Sequence, residues 1–322
     1  TIKVGFNTSS LGFGASTPDI ELVIDIDTKL PIKSQVLEND PLLGDVVYEV
    51  SYSDWTTVNG LQLPQIIEHK LDGNTIRAET LSNIEVNPTF DASVLAVAAA
   101  DAYPYDADQA KNGHLSSQFH YRTLLQTFPI DFPTNIVDAQ FGVNSQLVPS
   151  DPNAYIVAGE LQSHYTFAFK VDGGLLLYDS PINDRRSETV LSKIRSDFST
   201  APIKYVVNSH NHFDHTGGVR GNLVEGSDLI VGAGSKPFME EVLQRPSTVL
   251  PNPIEGININ VIGLADNMTI GSGDEQIELY TIATHHAEDE DFVVLDLRND
   301  YEIASGAFDK TIDPGLKTFR DL

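Results

Sequence analysis

The sequence contains no cysteine, which excludes disulfides, thiolate metal sites and cysteine nucleophiles. Any metal it binds must therefore be held by histidine and carboxylate. Basic residues are scarce as well: 20 Lys+Arg stand against 46 Asp+Glu, a formal net charge of −26. Such a surface repels polyanions, so nucleic acid and anionic membrane are poor partners and a small-molecule substrate is expected. It suits salty water, where screening mutes self-repulsion, or is simply a soluble acidic surface. No apolar run approaches the roughly 20 residues that a membrane-spanning helix needs. No Gly-x-Ser-x-Gly elbow supports a serine hydrolase. Gly12-Phe13-Gly14 lacks the strand, third glycine and lysine of a nucleotide loop. The chain opens at Thr1 without a methionine and shows no signal-peptide pattern. The expectation is a processed or truncated chain of secreted or periplasmic origin.

What is present in concentration is histidine. The stretch Asn208-Ser209-His210-Asn211-His212-Phe213-Asp214-His215-Thr216-Gly217-Gly218 follows the apolar run Ile203-Lys204-Tyr205-Val206-Val207, which reads as a buried strand. Imidazoles at a strand end supply neutral nitrogen donors on rigid backbone, and Asp214 adds charge and a hard oxygen. His210 and His212 alternate with Asn211, so in extended geometry both rings leave the same side. Asp214 and His215 come after the bend and approach from another direction. The Thr-Gly-Gly suits a tight turn into a helix. A second cluster, His285-His286, follows the alternating run Ile277 to Thr284, so five of the nine histidines sit in two short clusters, each after a strand. Core histidines do not group in this way.

Taken in order, residues 1 to about 20 read as a loose lead-in. From Glu21 to Pro88 the texture is repeatedly β: Leu22–Ile26, Val46–Tyr52, Leu63–Ile67 and Ile84–Pro88 read as strands, with turns at Asn59-Gly60 and Asp72-Gly73-Asn74. Short turns between consecutive strands imply an antiparallel meander. His69 stands alone in it and reads as a surface residue. Ala92 to Asp101 is a helix candidate. His114 and His120, six apart, match no metal doublet and read as structural or substrate-adjacent. Beyond about Ala139, strands and helices alternate: strands at Tyr155–Ala158, Tyr165–Phe169 and Leu175–Tyr178, then a helix over Arg185–Phe198 with Val190, Leu191, Ile194 and Phe198 on one face. Asp228–Val231 is a further strand, and Ser235 is expected to cap a helix with Pro237 in its first turn. The expected domains are a β-rich domain over 1–91, a helical or loop bridge over 92–138, and an α/β domain over 139–322.

The spacing His-x-His-x-Asp-His resembles the metallo-β-lactamase-fold hydrolases, over about residues 140–310. The Asp179-Ser180-Pro181 that ends an apolar strand is a second match. In relatives that aspartate supports the metal loop. More weakly, Asp54–Ile67 resembles the β sheet of lipoprotein-carrier-like domains. The resemblance implies an αβ/βα sandwich, preceded here by the antiparallel meander and possessing one or two zinc ions or another divalent metal. It implies that His210, His212 and His286 hold the first metal, with His285 the runner-up for the third place. Asp214 and His215 would hold a second metal, or Asp214 would orient the attacking water if one metal is bound. In the family an aspartate bridges two metals after the next strand. Here Gly306 or Ala307 takes that position, and Asp309 serves only if the loop shifts by two or three residues. The family's last histidine ligand has no counterpart, because no histidine follows His286.

Two readings follow. In the first the chain is a metal-dependent hydrolase in which a metal-bound hydroxide attacks an ester, lactone, amide or phosphoester-type substrate. Three histidines with an open position suffice for that. In the second it is a pseudo-enzyme that keeps the fold as a binding or assembly module.

Overall fold

The computed structural model describes residues 2–4, 20–89, 91, 144–148, 151–158, 164–283 and 291–296. By packing, the chain divides into two units: Thr1–Asp40 with Gly44–Asp131, and Pro41–Leu43 with Phe132–Leu322. The expected bridge, with its helix candidate and His114 and His120, lies outside the described residues.

The first unit is a six-stranded antiparallel meander: β1 (Ile2–Val4), β2 (Ile20–Ile24), β3 (Pro31–Asp40), β4 (Gly44–Val58), β5 (Leu61–Leu71) and β6 (Asn74–Thr80), in that spatial order. Two of its tight turns are Asn59-Gly60, with φ of 48° and 83°, and Asp72-Gly73, with φ of 48° and 81°. Positive φ at both central residues matches the right-handed twist of the flanking strands, which is why Asn-Gly and Asp-Gly stand there. The segment Ile84–Pro88 is not a strand. Asn83, just before it, and Asn87, within it, adopt φ of 53° and 54°, and these left-handed residues break the extended path. His69 is not a plain surface residue either. It is half-buried, and its Nδ1 lies 2.6 Å from the Tyr48 hydroxyl across the β4–β5 pair.

The second unit is built on a seven-stranded mixed sheet, ordered β13-β12-β11-β10-β9-β8-β7. Strands β7 (Asn144–Val148), β8 (Asp151–Ala158), β9 (Thr166–Val171) and β10 (Gly174–Tyr178) pair antiparallel. From β10 the pairing turns parallel through β11 (Ile203–Val207), β12 (Asp228–Gly232) and β13 (Val261–Leu264). A second, antiparallel sheet holds β14 (Asn267–Ile270), β15 (Ile277–Ala283) and β16 (Asp291–Asp296).

Both faces of the large sheet are covered, as runs such as Leu175-Leu176-Leu177 require. Leu175, Leu177, Val206 and Leu229 pack against α1 (Asp184–Asp197), α3 (Val219–Asn222) and α4 (Lys236–Gln244), meeting Val190, Ile194, Val219, Met239 and Val242. Leu176, Val207 and Ile230 face Ile270, Ile277, Leu279 and Val293 of the second sheet. Among the described residues the result is helix, sheet and sheet in three layers, a metallo-β-lactamase-like arrangement of mixed α and β structure.

Of the expected apolar face, Val190 and Ile194 of α1 are buried, and Leu191 and Phe198, the residue that ends the helix, pack at the edge. Asn183 caps this helix, its side chain accepting the Arg186 N–H at 3.0 Å. Ser235 does occupy the position before α4, but its side chain makes no capping hydrogen bond, since its backbone is already helical (φ −78°, ψ −19°) rather than extended. Arg220 of α3 is 2% exposed and donates to the carbonyls of Pro41, Leu42 and Val242, which explains why Pro41–Leu43 packs with this unit.

Candidate metal centre

Parallel strands end together, and their carboxyl ends form a ready crevice. Here β10 ends at Tyr178 and β11 at Val207, paired in register as Tyr178 with Val207. The next residues of both strands build the site. Asp179 N–H donates to Val207 O at 2.8 Å and Asn208 N–H donates to Ile230 O at 3.0 Å, so the two loops leave the sheet already tied to it. The histidine loop then closes into the one-turn helix α2 (Phe213–Thr216), where His215 and Thr216 N–H groups return to His212 O at 2.9 and 3.0 Å.

His210 and His212 are 3% and 8% exposed, and their ring centroids lie 4.7 Å apart, so alternation does bring both rings to one side. His215, from the helical turn, brings its ring centroid to 4.4 Å from that of His210. The Nε2 atoms of His210 and His212 are buried, and so is Asp214 Oδ1, which takes no hydrogen bond among the described residues. A buried carboxylate oxygen such as Asp214 Oδ1 asks for a partner, and three imidazoles with a carboxylate are a donor set for a divalent cation. Among the described residues, however, no three His, Asp or Glu side chains already stand at metal-ligand spacing. His285, His286 and Asp309 lie outside the described residues.

Asp179 organises the cluster. Its Oδ1 accepts the Ser209 N–H at 2.7 Å, and its Oδ2 accepts the Ser209 hydroxyl at 3.1 Å and lies 2.7 Å from His215 Nδ1. A carboxylate on Nδ1 fixes the tautomer and turns Nε2 toward the site. Desolvation lowers the pKa of His215, but the hydrogen bond and charge of Asp179, with the charge of Asp214, outweigh it and hold the imidazole above its ordinary 6.5. Ser209 also lies 3.0 Å from His210 Nδ1, and the Thr216 hydroxyl donates to the His210 carbonyl.

Two features escaped the sequence. The first is His164, at the mouth of β9, whose Nε2 lies 3.9 Å from Asp214 Oδ2. Burial holds this imidazole below its ordinary 6.5, partly offset by Asp214. Its carbonyl accepts from Arg186 Nη2. That guanidinium is 1% exposed, and desolvation lowers its pKa to about 10. A lone histidine beside Tyr165 carries no spacing signal, so only the fold could bring it forward.

The second is the reason for the glycines. Gly217 (φ −60°) and Gly218 (φ −97°) are not in the left-handed region. They are needed for room: a Cβ on Gly217 would lie 2.7 Å from Phe213 O, one on Gly218 would lie 2.6 Å from Asn183 O, and one on Gly221 would lie 2.8 Å from Asp184 O. This strip lets α2 and α3 press on the turn that enters α1. There Ile182, 2% exposed, holds φ of 74°, an outlier for a β-branched residue.

The family model of the metallo-beta-lactamase superfamily matches residues 158–228. Among solved structures, the chain is similar to a metallo-beta-lactamase from Pontibacter korlensis, with 18% identity, a TM-score of 0.36, and coverage of 48% of this chain and 66% of that one. It is also similar to a subclass B3 metallo-beta-lactamase of Bradyrhizobium japonicum, with 20% identity, a TM-score of 0.37, and coverage of 51% and 61%. A stretch of 35 residues is 56% identical to a tRNA uridine(34) hydroxylase of Bartonella quintana (strain Toulouse), 11% of this chain and 12% of that protein.

Proposed function

We propose, starting from the metallo-beta-lactamase superfamily domain at residues 158–228, that this chain is a metal-dependent hydrolase of small molecules. The observation that carries the reading is the 2.7 Å approach of Asp179 Oδ2 to His215 Nδ1, beside the gathered rings of His210 and His212. A carboxylate that orients an imidazole within a histidine cluster serves ligation, whereas a solvated polar turn has no use for it. His210 and His212, with His286 as the third ligand, would hold one divalent cation, and Asp214 with His215 a second. Zinc in these positions would supply Lewis acidity and a nucleophilic water at neutral pH. Asp214 would orient that water if one ion is bound, and Asp309 remains the candidate bridge between two. The substrate class is an ester, lactone, amide or phosphoester of modest size. A net charge of −26 disfavours an RNA substrate, whose phosphates the surface would repel.

The test is turnover on a panel of esters, lactones, β-lactams and phosphodiesters, before and after metal removal from a sample kept folded. Activity lost on chelation and restored by zinc supports the reading. Undiminished hydrolysis by the metal-free protein overturns it. The absence of a ready three-ligand set among the described residues favours a second reading, a pseudo-enzyme that uses the fold for binding or assembly. A zinc-replete sample silent across the panel would favour that.

A further inference from the structure

His164 does not come from the histidine loop, yet it faces the same carboxylate. Its Nε2 lies 3.9 Å from Asp214 Oδ2, and His215 Nε2 lies 4.0 Å from that same oxygen. Neither distance is a hydrogen bond. Two donors on one tetrahedral ion, with bonds of about 2.0–2.1 Å, stand roughly 3.3–3.4 Å apart. Each imidazole is thus only a little beyond ligand spacing from Asp214, a gap that small side-chain rotations close.

The surroundings hold His164 for this role. Its backbone adopts φ of 59°, a conformation histidine tolerates better than most residues but which still needs support. Arg186, buried at the start of α1, supplies that support by donating to the His164 carbonyl. On the opposite side Asp179 fixes Nδ1 of His215, so that His215 presents Nε2. The side chains of His164 and Asp214 are each 17% exposed, so the position opens toward solvent and an ion can reach it.

We propose that His164 is a ligand of the second divalent cation, together with Asp214 and His215. This rests on the metal-dependent reading above. In that arrangement β9, not a later strand, completes the second position, and the three side chains draw together when the ion binds.

The experiment is a metal titration of the full chain, wild type, H164A and H164Q. Each protein is stripped by chelator, checked by circular dichroism, and titrated with zinc by calorimetry and with cobalt by visible spectroscopy. The ions retained are counted by elemental analysis. The expected result is two ions per wild-type chain, with the second bound at least 10-fold more weakly in both variants while the first is unaffected. Two ions bound with wild-type affinity by either folded variant would overturn the assignment and leave the hydrolase reading standing. One ion in the wild type would also overturn the assignment alone, whereas none would overturn both. If neither variant folds, carbethoxylation of the wild type decides. Modification of His164, located by peptide mass spectrometry, should slow at least 10-fold on the second zinc equivalent, and an unchanged rate overturns the proposal.

Discussion

Asp179 Oδ2 stands 2.7 Å from Nδ1 of His215, across 36 residues of chain, and joins the end of β10 to the helical turn beyond β11. The same carboxylate also takes both donors of Ser209. One side chain therefore sets the path of the histidine loop, where it leaves the sheet, and the orientation of its last imidazole.

Replacing Asp179 with Asn should separate these roles. The amide can still accept the Ser209 N–H, but its remaining arm carries hydrogens and cannot accept from His215 Nδ1. The imidazole is then driven to the tautomer with its hydrogen on Nε2, the atom needed for ligation. Metal affinity should fall by about 10- to 100-fold. Loss of a buried acceptor should cost the fold only about 1–3 kcal/mol. Chelator competition reads the first and urea melts the second. Unchanged affinity in D179N would remove Asp179 from the site.

The pH dependence of metal binding has a defined sign. His215 is held above 6.5, so the metal-free protein keeps a proton there to a higher pH than an ordinary histidine does. That proton occupies the imidazole that the metal needs. Affinity should therefore fall as pH drops through the raised pKa, approaching about tenfold per pH unit once the site is protonated. The metal-free fold behaves oppositely: the stabilisation from protonated His215 is fully present below 6.5 and is lost as pH rises through the folded value. Zinc titrations from about pH 5.5 to 8.5 check the first, and melts of the stripped protein check the second. Affinity that is flat over that window would contradict the assignment of His215 as a ligand.

The histidine loop was legible in the sequence because its signal is local: an apolar strand, then alternating histidines, then a bend. The Asn-Gly and Asp-Gly turns of the meander were legible for the same reason. His164 was not, because its partners Arg186 and Asp214 are brought to it by the return of β9 and by α1. Ile84–Pro88 alternates well enough for a strand, yet the left-handed Asn83 and Asn87 decided otherwise. Gly217 and Gly218 looked like turn formers, but their necessity lies in a close approach to residues about 35 positions earlier, which periodicity does not encode.

That close approach is testable by adding single methyl groups. Ala at Gly218 would place its Cβ 2.6 Å from Asn183 O, and Ala at Gly221 would place one 2.8 Å from Asp184 O. Backbone oxygens do not yield easily, so each change should cost about 1–3 kcal/mol or more. Gly234 meets nothing within 4 Å, and Ala there should be neutral or stabilise by up to about 1 kcal/mol. Urea melts of the three variants should rank G234A well above the other two. Equal stabilities would show that the glycine strip has room to spare.

The entry to α1 also makes the fold itself sensitive to acid in an unusual direction. Asp184 accepts the Gly221 N–H at 2.9 Å, but desolvation outweighs that bond and the charge of Arg220, raising its pKa from 3.8 to about 6. A raised carboxyl pKa means that the folded state prefers the proton. Its contribution to stability is fully present below 3.8 and is lost as pH climbs through about 6. Most carboxylates tied into a fold behave the other way. D184N keeps an acceptor for Gly221 and has nothing to ionise, so it should lose this component. Above pH 6 the variant should match or exceed the wild type, by on the order of 1–3 kcal/mol, while near pH 4 the two should converge. Urea melts of the metal-free proteins across that range measure the gap. A gap that widens toward acid would mean that the Gly221 hydrogen bond, rather than desolvation, governs Asp184.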